Sequence, residues 1–270
     1  MGIFSWLFNL KPKKVKLGLA LGSGGAKGFA HLGALKAFEE NGLNFDYIAG
    51  TSIGSIVGAF YADGYTSTDI LEMLKKIQFK DINNSLPLGM DGAGLTSLIE
   101  KSLKTTEIEQ LLKPFRAVAT RLDNDSEVVF DKGNIAKCLC ASSSYPPFFR
   151  PVEIDGVLYV DGAFTNSVPA DVVKKMGADI VIGIDLRDRE SKPSLLKRIF
   201  PNAVYSGKES EPWKKGYEFS DIMLHPDLTG YTSTSFFAGL TMYDIGYETA
   251  MENMGKIKDI IAKFSKKIRR

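Results

Sequence analysis

Phe45-Asp46-Tyr47-Ile48-Ala49-Gly50-Thr51-Ser52-Ile53-Gly54-Ser55-Ile56-Val57-Gly58-Ala59-Phe60 is the stretch on which the fold turns. The largely apolar run at 45–49 has strand character, and 55–60 is compatible with a helix. Between them stands Gly50-Thr51-Ser52-Ile53-Gly54, a Gly-x-Ser-x-Gly pentapeptide. On a sharp strand-to-helix turn the serine hydroxyl is held above a sheet edge, with the amides of the following helix nearby. Small flanking residues are required there, because the turn is strained and larger side chains would clash. The plain alternative is a small-residue turn that merely joins a strand to a helix. The pentapeptide alone does not separate the two.

Working outward, Lys16–Leu21 reads as a buried strand entering the glycine-rich turn Gly22-Ser23-Gly24-Gly25-Ala26-Lys27-Gly28. A helix pattern follows over 29–38 and stops at Asn41-Gly42. Thr66-Ser67-Thr68-Asp69 can cap a further helix to about Gln78, and Thr105-Thr106 precedes another over 107–112. Residues 115–120, 127–130, 157–160 and 179–185 read as strands, and Ser235 to Ile268 as largely helical. Strands alternating with helices, with near-continuous apolar strands, predict an α/β domain around a mainly parallel sheet. Residues 187–220 break that rhythm: they are polar, carry Pro193, Pro201, Pro212 and Trp213, and show only a short helical hint at 194–200. Such a stretch serves either as a substrate lid or as a plain surface loop.

The chain has 270 residues, 44% hydrophobic and 24% charged, as in an ordinary globular protein with a sizeable core. Cys138 and Cys140, one residue apart in an apolar helix-like stretch, suit neither a disulfide framework nor a usual zinc site. They predict a reduced, cytoplasmic protein. No apolar run is long enough to span a membrane. The net charge of +2 hides basic ends: residues 1–38 and 256–270 each carry +6, which leaves −10 between them. An acidic body of this kind argues against nucleic acid as a partner. The N-terminal arm, residues 1–15, sets Ile3, Phe4, Trp6, Leu7 and Phe8 beside Lys11, Lys13 and Lys14. That composition suits either a short interfacial anchor on anionic lipid or an arm folded onto its own core. A signal peptide would place its charges first, and Trp6 breaks the myristoylation pattern.

The glycine turn fails two familiar readings on register. A Walker loop needs Gly-Lys followed by Ser or Thr, whereas Ala26 precedes Lys27 and Gly28 follows it. A dinucleotide fingerprint fails at Lys27 in one frame and at Ser23 in the other, and no acid ends the second strand to take a ribose. A third use remains: successive glycine amides at a helix N-terminus form an anion-binding concavity. In serine acyl transfer such a nest stabilises the oxyanion. If the first two strands are parallel neighbours, this nest and Ser52 face each other. The serine then needs a base. His31 falls in the first turn of its helix, a position for core or cap. His225, in Leu224-His225-Pro226-Asp227, comes late, as an α/β-hydrolase histidine would, but suits a surface loop equally. Asp161 ends the strand 157–160 and opens the turn Asp161-Gly162-Ala163. A carboxylate so placed acts as a base once burial lifts its pKa, although an Asp-Gly pair is also an ordinary turn.

Together, in this order, the glycine loop 22–28, the pentapeptide 50–54 and Asp161-Gly162-Ala163 resemble the patatin-like phospholipase family. Ala141-Ser142-Ser143-Ser144-Tyr145-Pro146-Pro147-Phe148-Phe149-Arg150-Pro151-Val152 resembles the family's segment before the aspartate. The resemblance runs from about Lys16 to Asp227 and implies one domain over 16–270 with a three-layer α/β/α fold. It implies hydrolysis of lipid acyl esters by a Ser52–Asp161 dyad without histidine. The amides around Gly24 and Gly25, with Ala26, would form the oxyanion hole, and no metal or organic cofactor would be needed. Ser23 stands where many members have glycine and Lys27 where many have arginine. Neither change removes a backbone donor, whereas Lys27 offers a point charge in place of a planar fork. Two alternatives remain beside the resemblance: an esterase using His225, and a silent lipid-binding module.

Overall fold

In the computed structural model, residues 14–76, 92–187 and 211–268 are described. β1 (Leu17–Leu21) is buried throughout and pairs in parallel with β2 (Tyr47–Thr51) and β7 (Ile180–Ile184). β3 (Phe115–Arg121) continues the parallel set beside β2, and β8 (Ile222–Leu224) does so beside β7. β4 (Glu127–Phe130) and β6 (Val157–Asp161), both read as strands, with β5 (Val152–Ile154), which was not, form an antiparallel flank on β3. The sheet thus has eight strands with a parallel centre, which bears out the α/β expectation.

Alternation along the central strands sorts two cores. Leu17, Leu19, Leu21, Ile48, Ile180, Ile182 and Ile184 join one core, with α1 (Phe29–Glu40), α2 (Ile53–Ala62), α5 (Ile135–Ser142) and α8 (Gly239–Ile268). Ala20, Ala49, Val118 and Val181 face the other way onto α6 (Ala170–Met176). A strand covered on both faces has no polar side, which is why these runs read as continuously apolar. α3 (Ser67–Lys76) begins with the expected cap: Asp69 N–H donates to Thr66 Oγ1, and Thr66 N–H donates back to the Asp69 carboxylate. α4 (Ala93–Ser102) precedes the stretch expected to be helical over 107–112, where only a short 3-10 turn, Ile108–Gln110, forms. There Ile108 N–H donates to the Gly133 carbonyl and Ile135 N–H to the Thr106 carbonyl, so the backbone groups serve a cross-chain tie. Within 187–220, residues Lys214–Phe219 form the short helix α7; the helical hint at 194–200 lies outside the described residues.

α1 and α8 pack backbone to backbone. A Cβ on Gly246 would lie 2.0 Å from the Ala30 carbonyl oxygen, whereas one on Gly255, on the same helix, meets nothing within 4 Å. Gly246→Ala therefore forces the helices apart, an overpacking cost of about 3 kcal/mol against a helix-propensity gain of about 1 kcal/mol. Gly255→Ala collects only the gain. Urea unfolding should show the first variant destabilised by about 2 kcal/mol and the second stabilised by up to about 1 kcal/mol. Equal midpoints would refute the close approach.

The pairings of β3 explain where the ends of β2 and β6 meet. Val118 pairs with Thr51 and Val129, and Ala119 pairs with Val128 and Asp161. A strand residue has only two lateral sides, and β4 occupies one of them along 117–120. β2 and β6 therefore share the other, end to end. They run in opposite directions, so their C-terminal ends meet head on at the Val118–Ala119 step. Lys14 and Lys16 lie at the other end of β1, tied to Asp46 and Tyr47.

Candidate active site

Ser52 and Asp161 occupy that junction. Ser52 follows directly on β2 at φ 56°, ψ −128°, a backbone position that favours glycine. The surroundings hold it there. Its N–H donates to Ser142 Oγ at 3.0 Å, and Ser142 Oγ donates to the Val118 carbonyl at 2.6 Å. Thr51 Oγ1 donates to the Asn166 carbonyl at 2.8 Å. A Cβ on Gly50 would sit 2.2 Å from the Gly54 oxygen, and one on Gly54 2.3 Å from the Leu21 oxygen. The two motif glycines are thus required by contact between backbones, and Gly54 brings α2 down onto the end of β1.

Ser52 Oγ donates to Asp161 Oδ2 at 2.6 Å. Asp161 is 1% exposed and Ser52 9% exposed. Burial pushes the Asp161 carboxyl up to about 7, against the lowering effect of the Ser52 hydroxyl and of Ala163 N–H, which donates to Oδ1 at 2.8 Å. A carboxyl poised near neutrality and bonded to a hydroxyl has the geometry of a general base beside a nucleophile. The first turn of α2 lies beneath the hydroxyl, with its positive dipole end toward it.

The glycine loop leaves the neighbouring strand β1 at the same sheet edge. Gly22 N–H donates to the Ile184 carbonyl and Ser23 N–H to the Ser167 carbonyl, so the start of the loop is committed to structure. Ala26 N–H donates to the Ser233 carbonyl at 2.8 Å. Of the three expected donors, Ala26 is therefore occupied in this conformation. The N–H groups of Gly24 and Gly25 make no backbone hydrogen bond among the described residues. Gly25 takes φ 57° and its Cα packs under Ser233, where a Cβ would meet the carbonyl oxygen at 2.5 Å.

A family model described as patatin-like phospholipase matches residues 19–174, more than half of the chain. The chain belongs to the patatin-like phospholipase family. It is 35% identical over 187 residues to the mouse (Mus musculus) patatin-like phospholipase domain-containing protein 7, covering 64% of this chain and 14% of that protein. It is 33% identical over 186 residues to an NTE family protein of Mycobacterium bovis, covering 66% of this chain and 51% of the relative. The match thus spans about half of the one relative and a small part of the other. Among solved structures, VipD from Legionella pneumophila superposes with TM-score 0.59 at 14% identity, over 90% of this chain and 67% of that one. Human GIVD cytosolic phospholipase A2 gives TM-score 0.54 at 12% identity, over 93% and 60%. These likenesses show the fold.

Within that family frame the histidines take other places. His31 is fully buried, with Nε2 2.8 Å from the Gly22 carbonyl. A carbonyl only accepts, so Nε2 carries the proton, and burial lowers the imidazole pKa to about 4. His31 thereby ties α1 to the first residue of the glycine loop. His225 follows β8, with Nδ1 3.8 Å from Asp185 Oδ2. β1 and β7 separate it from β2, three strand spacings or roughly 14 Å. Asp185 is held by Arg187 and by the Tyr217 hydroxyl at 2.9 Å. Among the described residues no group of three or more His, Cys, Asp or Glu is placed to hold a metal ion. Sequence reasoning missed Ser142, which supports the serine turn. The available signal was three serines, 142–144, closing an otherwise apolar helix.

Proposed function

We propose that the protein is a lipid acyl ester hydrolase, of phospholipase A or lysophospholipase type, that works through Ser52 and Asp161. The observation that carries this reading is the 2.6 Å hydrogen bond from Ser52 Oγ to the buried carboxylate of Asp161. Ionised Asp161 takes the hydroxyl proton as Oγ attacks the acyl carbonyl. The oxyanion is held by the Gly24 and Gly25 amides in the middle of the glycine loop. Collapse breaks the ester C–O bond, and the leaving alcohol takes its proton from Asp161. Water then attacks the acyl-Ser52 ester, with Asp161 again as base, and releases the fatty acid. Family membership supports a lipid acyl substrate. So does the human cytosolic phospholipase A2 neighbour, whose structure was determined in complex with methyl gamma-linolenyl fluorophosphonate.

A long-chain fluorophosphonate tests this directly. One adduct per chain, mapped to Ser52 by peptide mass spectrometry, is expected. His225→Ala should keep both the labelling and p-nitrophenyl butyrate turnover within a few-fold of the parent, because His225 lies across two strands. Loss of both in His225→Ala would replace the dyad with a histidine-based triad.

A further inference from the structure

Eight large apolar side chains are strongly exposed among the described residues, and Phe236, Phe237 and Leu240 bring three of them within one turn of chain. Phe237 is 108% exposed, so its ring stands wholly in solvent. This turn is pinned at both ends to the candidate site. Before it, the Ser233 carbonyl accepts from Ala26 N–H of the glycine loop. After it, Gly239 lies so close to the Phe29 ring, at the start of α1, that a Cβ would come within 2.9 Å. Phe237 is four residues from the first anchor and two from the second, which keeps it within about 14 Å of the glycine loop. From Gly230 to Tyr243 the chain has no charged residue. Tyr145 is 39% exposed and stacks on Phe164, and partial burial of its hydroxyl, followed by the nearby Asp161 carboxylate, raises its pKa. Arg150, five residues on, is exposed.

We infer that Phe236, Phe237 and Leu240 are the surface by which the protein docks on a lipid aggregate, with Phe237 inserted and the mouth above Ser52 facing the lipid. The inference rests on the hydrolase reading for its choice of partner. An aromatic and aliphatic tip without charge enters the headgroup–acyl boundary with no ion to desolvate, and burying it removes apolar area from water. The exposed Arg150, two residues before β5, is of the charge that complements lipid phosphate. A second copy seated on the same tip would cover the mouth through which an acyl chain must enter. The contact lies at the sheet edge that carries Ser52, whereas Lys14 and Lys16 lie at the opposite end of β1. Docking through this tip therefore brings lipid to the serine at the end of β1 away from Lys14 and Lys16.

The test uses the full chain carrying Ser52→Ala, so that binding is read without turnover, with cosedimentation on phosphatidylcholine vesicles. Phe237→Asp should weaken partition at least about 10-fold, and Phe237→Trp should retain it. With Ser52 intact, Phe237→Asp should lower hydrolysis of vesicle lipid by a similar factor while turnover of p-nitrophenyl butyrate in water stays within two-fold. Vesicle partition unchanged by Phe237→Asp overturns the proposal. So does partition lost only when Lys11, Lys13 and Lys14 are changed to Glu, which assigns the contact to the arm. A dimer in light scattering that Phe237→Asp dissociates, with no vesicle binding by the parent, assigns the tip to a second copy and also overturns it. If no variant hydrolyses either ester while Phe237→Asp still abolishes vesicle binding, the docking surface stands and the catalytic reading falls.

Discussion

Ser52→Ala is expected to yield a folded protein whose ester hydrolysis has fallen by at least about 10^4-fold in kcat. The change removes only Oγ, and with it the attacking atom. What survives is the glycine loop and the substrate contacts, which in related chemistry leave a residual 10^3–10^4 over water. The fold should persist at a cost of about 1–3 kcal/mol, because buried Asp161 Oδ2 loses the Ser52 hydroxyl while Ser52 N–H still donates to Ser142 Oγ and the close approach of Gly54 to Leu21 is untouched. Ser52→Gly sharpens the test. It removes the same hydroxyl and also the Cβ that makes φ 56° costly. This variant should be equally inactive and about 1 kcal/mol more stable than Ser52→Ala, the backbone strain outweighing the entropy of an added glycine. Thermal unfolding and p-nitrophenyl ester kinetics on the two variants together would decide the matter. Turnover above a few per cent in folded Ser52→Ala would place the nucleophile elsewhere.

The parts of this site that the sequence discloses are those whose constraint is local. Gly50, Gly54, Gly22 and Gly25 announce themselves because each lies against a neighbouring backbone atom, while Gly24 and Gly28 fit under the Leu186 and Ile53 side chains. The parallel centre was legible from strands that are apolar on both faces. Of the antiparallel flank, β4 and β6 read as strands but not their direction, and β5 did not read at all, because three residues are too few for a period to show. The meeting of β2 with β6 on one edge of β3 was invisible for a different reason. It depends on register between residues more than 100 positions apart, and nothing near Ser52 or Asp161 encodes the Val118–Ala119 step. The same holds for the Ser233 carbonyl on Ala26. Glycine spacing predicts that an amide is offered; it does not predict which distant carbonyl takes it. Membership of the patatin-like phospholipase family joined these pieces before the topology did, because the motif order carries the tertiary arrangement implicitly.

Asp161→Asn should separate catalysis from stability, and in opposite directions. A base that titrates near 7 gives a wild-type kcat/KM that rises with pH through that value and levels above it. The asparagine variant has no such limb and should fall by about 10^3-fold or more, since it cannot take the Ser52 proton. Stability follows from the same shift. Folded Asp161 holds its proton up to about 7, whereas the unfolded chain releases it near the ordinary aspartate value of 3.8. The folded state therefore binds more protons between these values, and stability declines as pH rises from the lower to the upper. Above 7 the buried carboxylate costs about 4 kcal/mol relative to acid pH, an order-of-magnitude figure. Asparagine carries no charge and still offers an oxygen to Ala163 N–H and a donor to Ser52 Oγ, so it escapes this cost. Near pH 8 the variant should melt roughly 10 °C above the parent, with the gap closing toward pH 4. A gap that does not change with pH would mean that the environment, not the charge, distinguishes the two side chains. A variant less stable than the parent at pH 8 would mean that the hydrogen bonds from Ser52 and Ala163 outweigh burial. Either result would remove the reason for Asp161 to be poised near neutrality, and with it the case for a carboxylate doing the work of histidine.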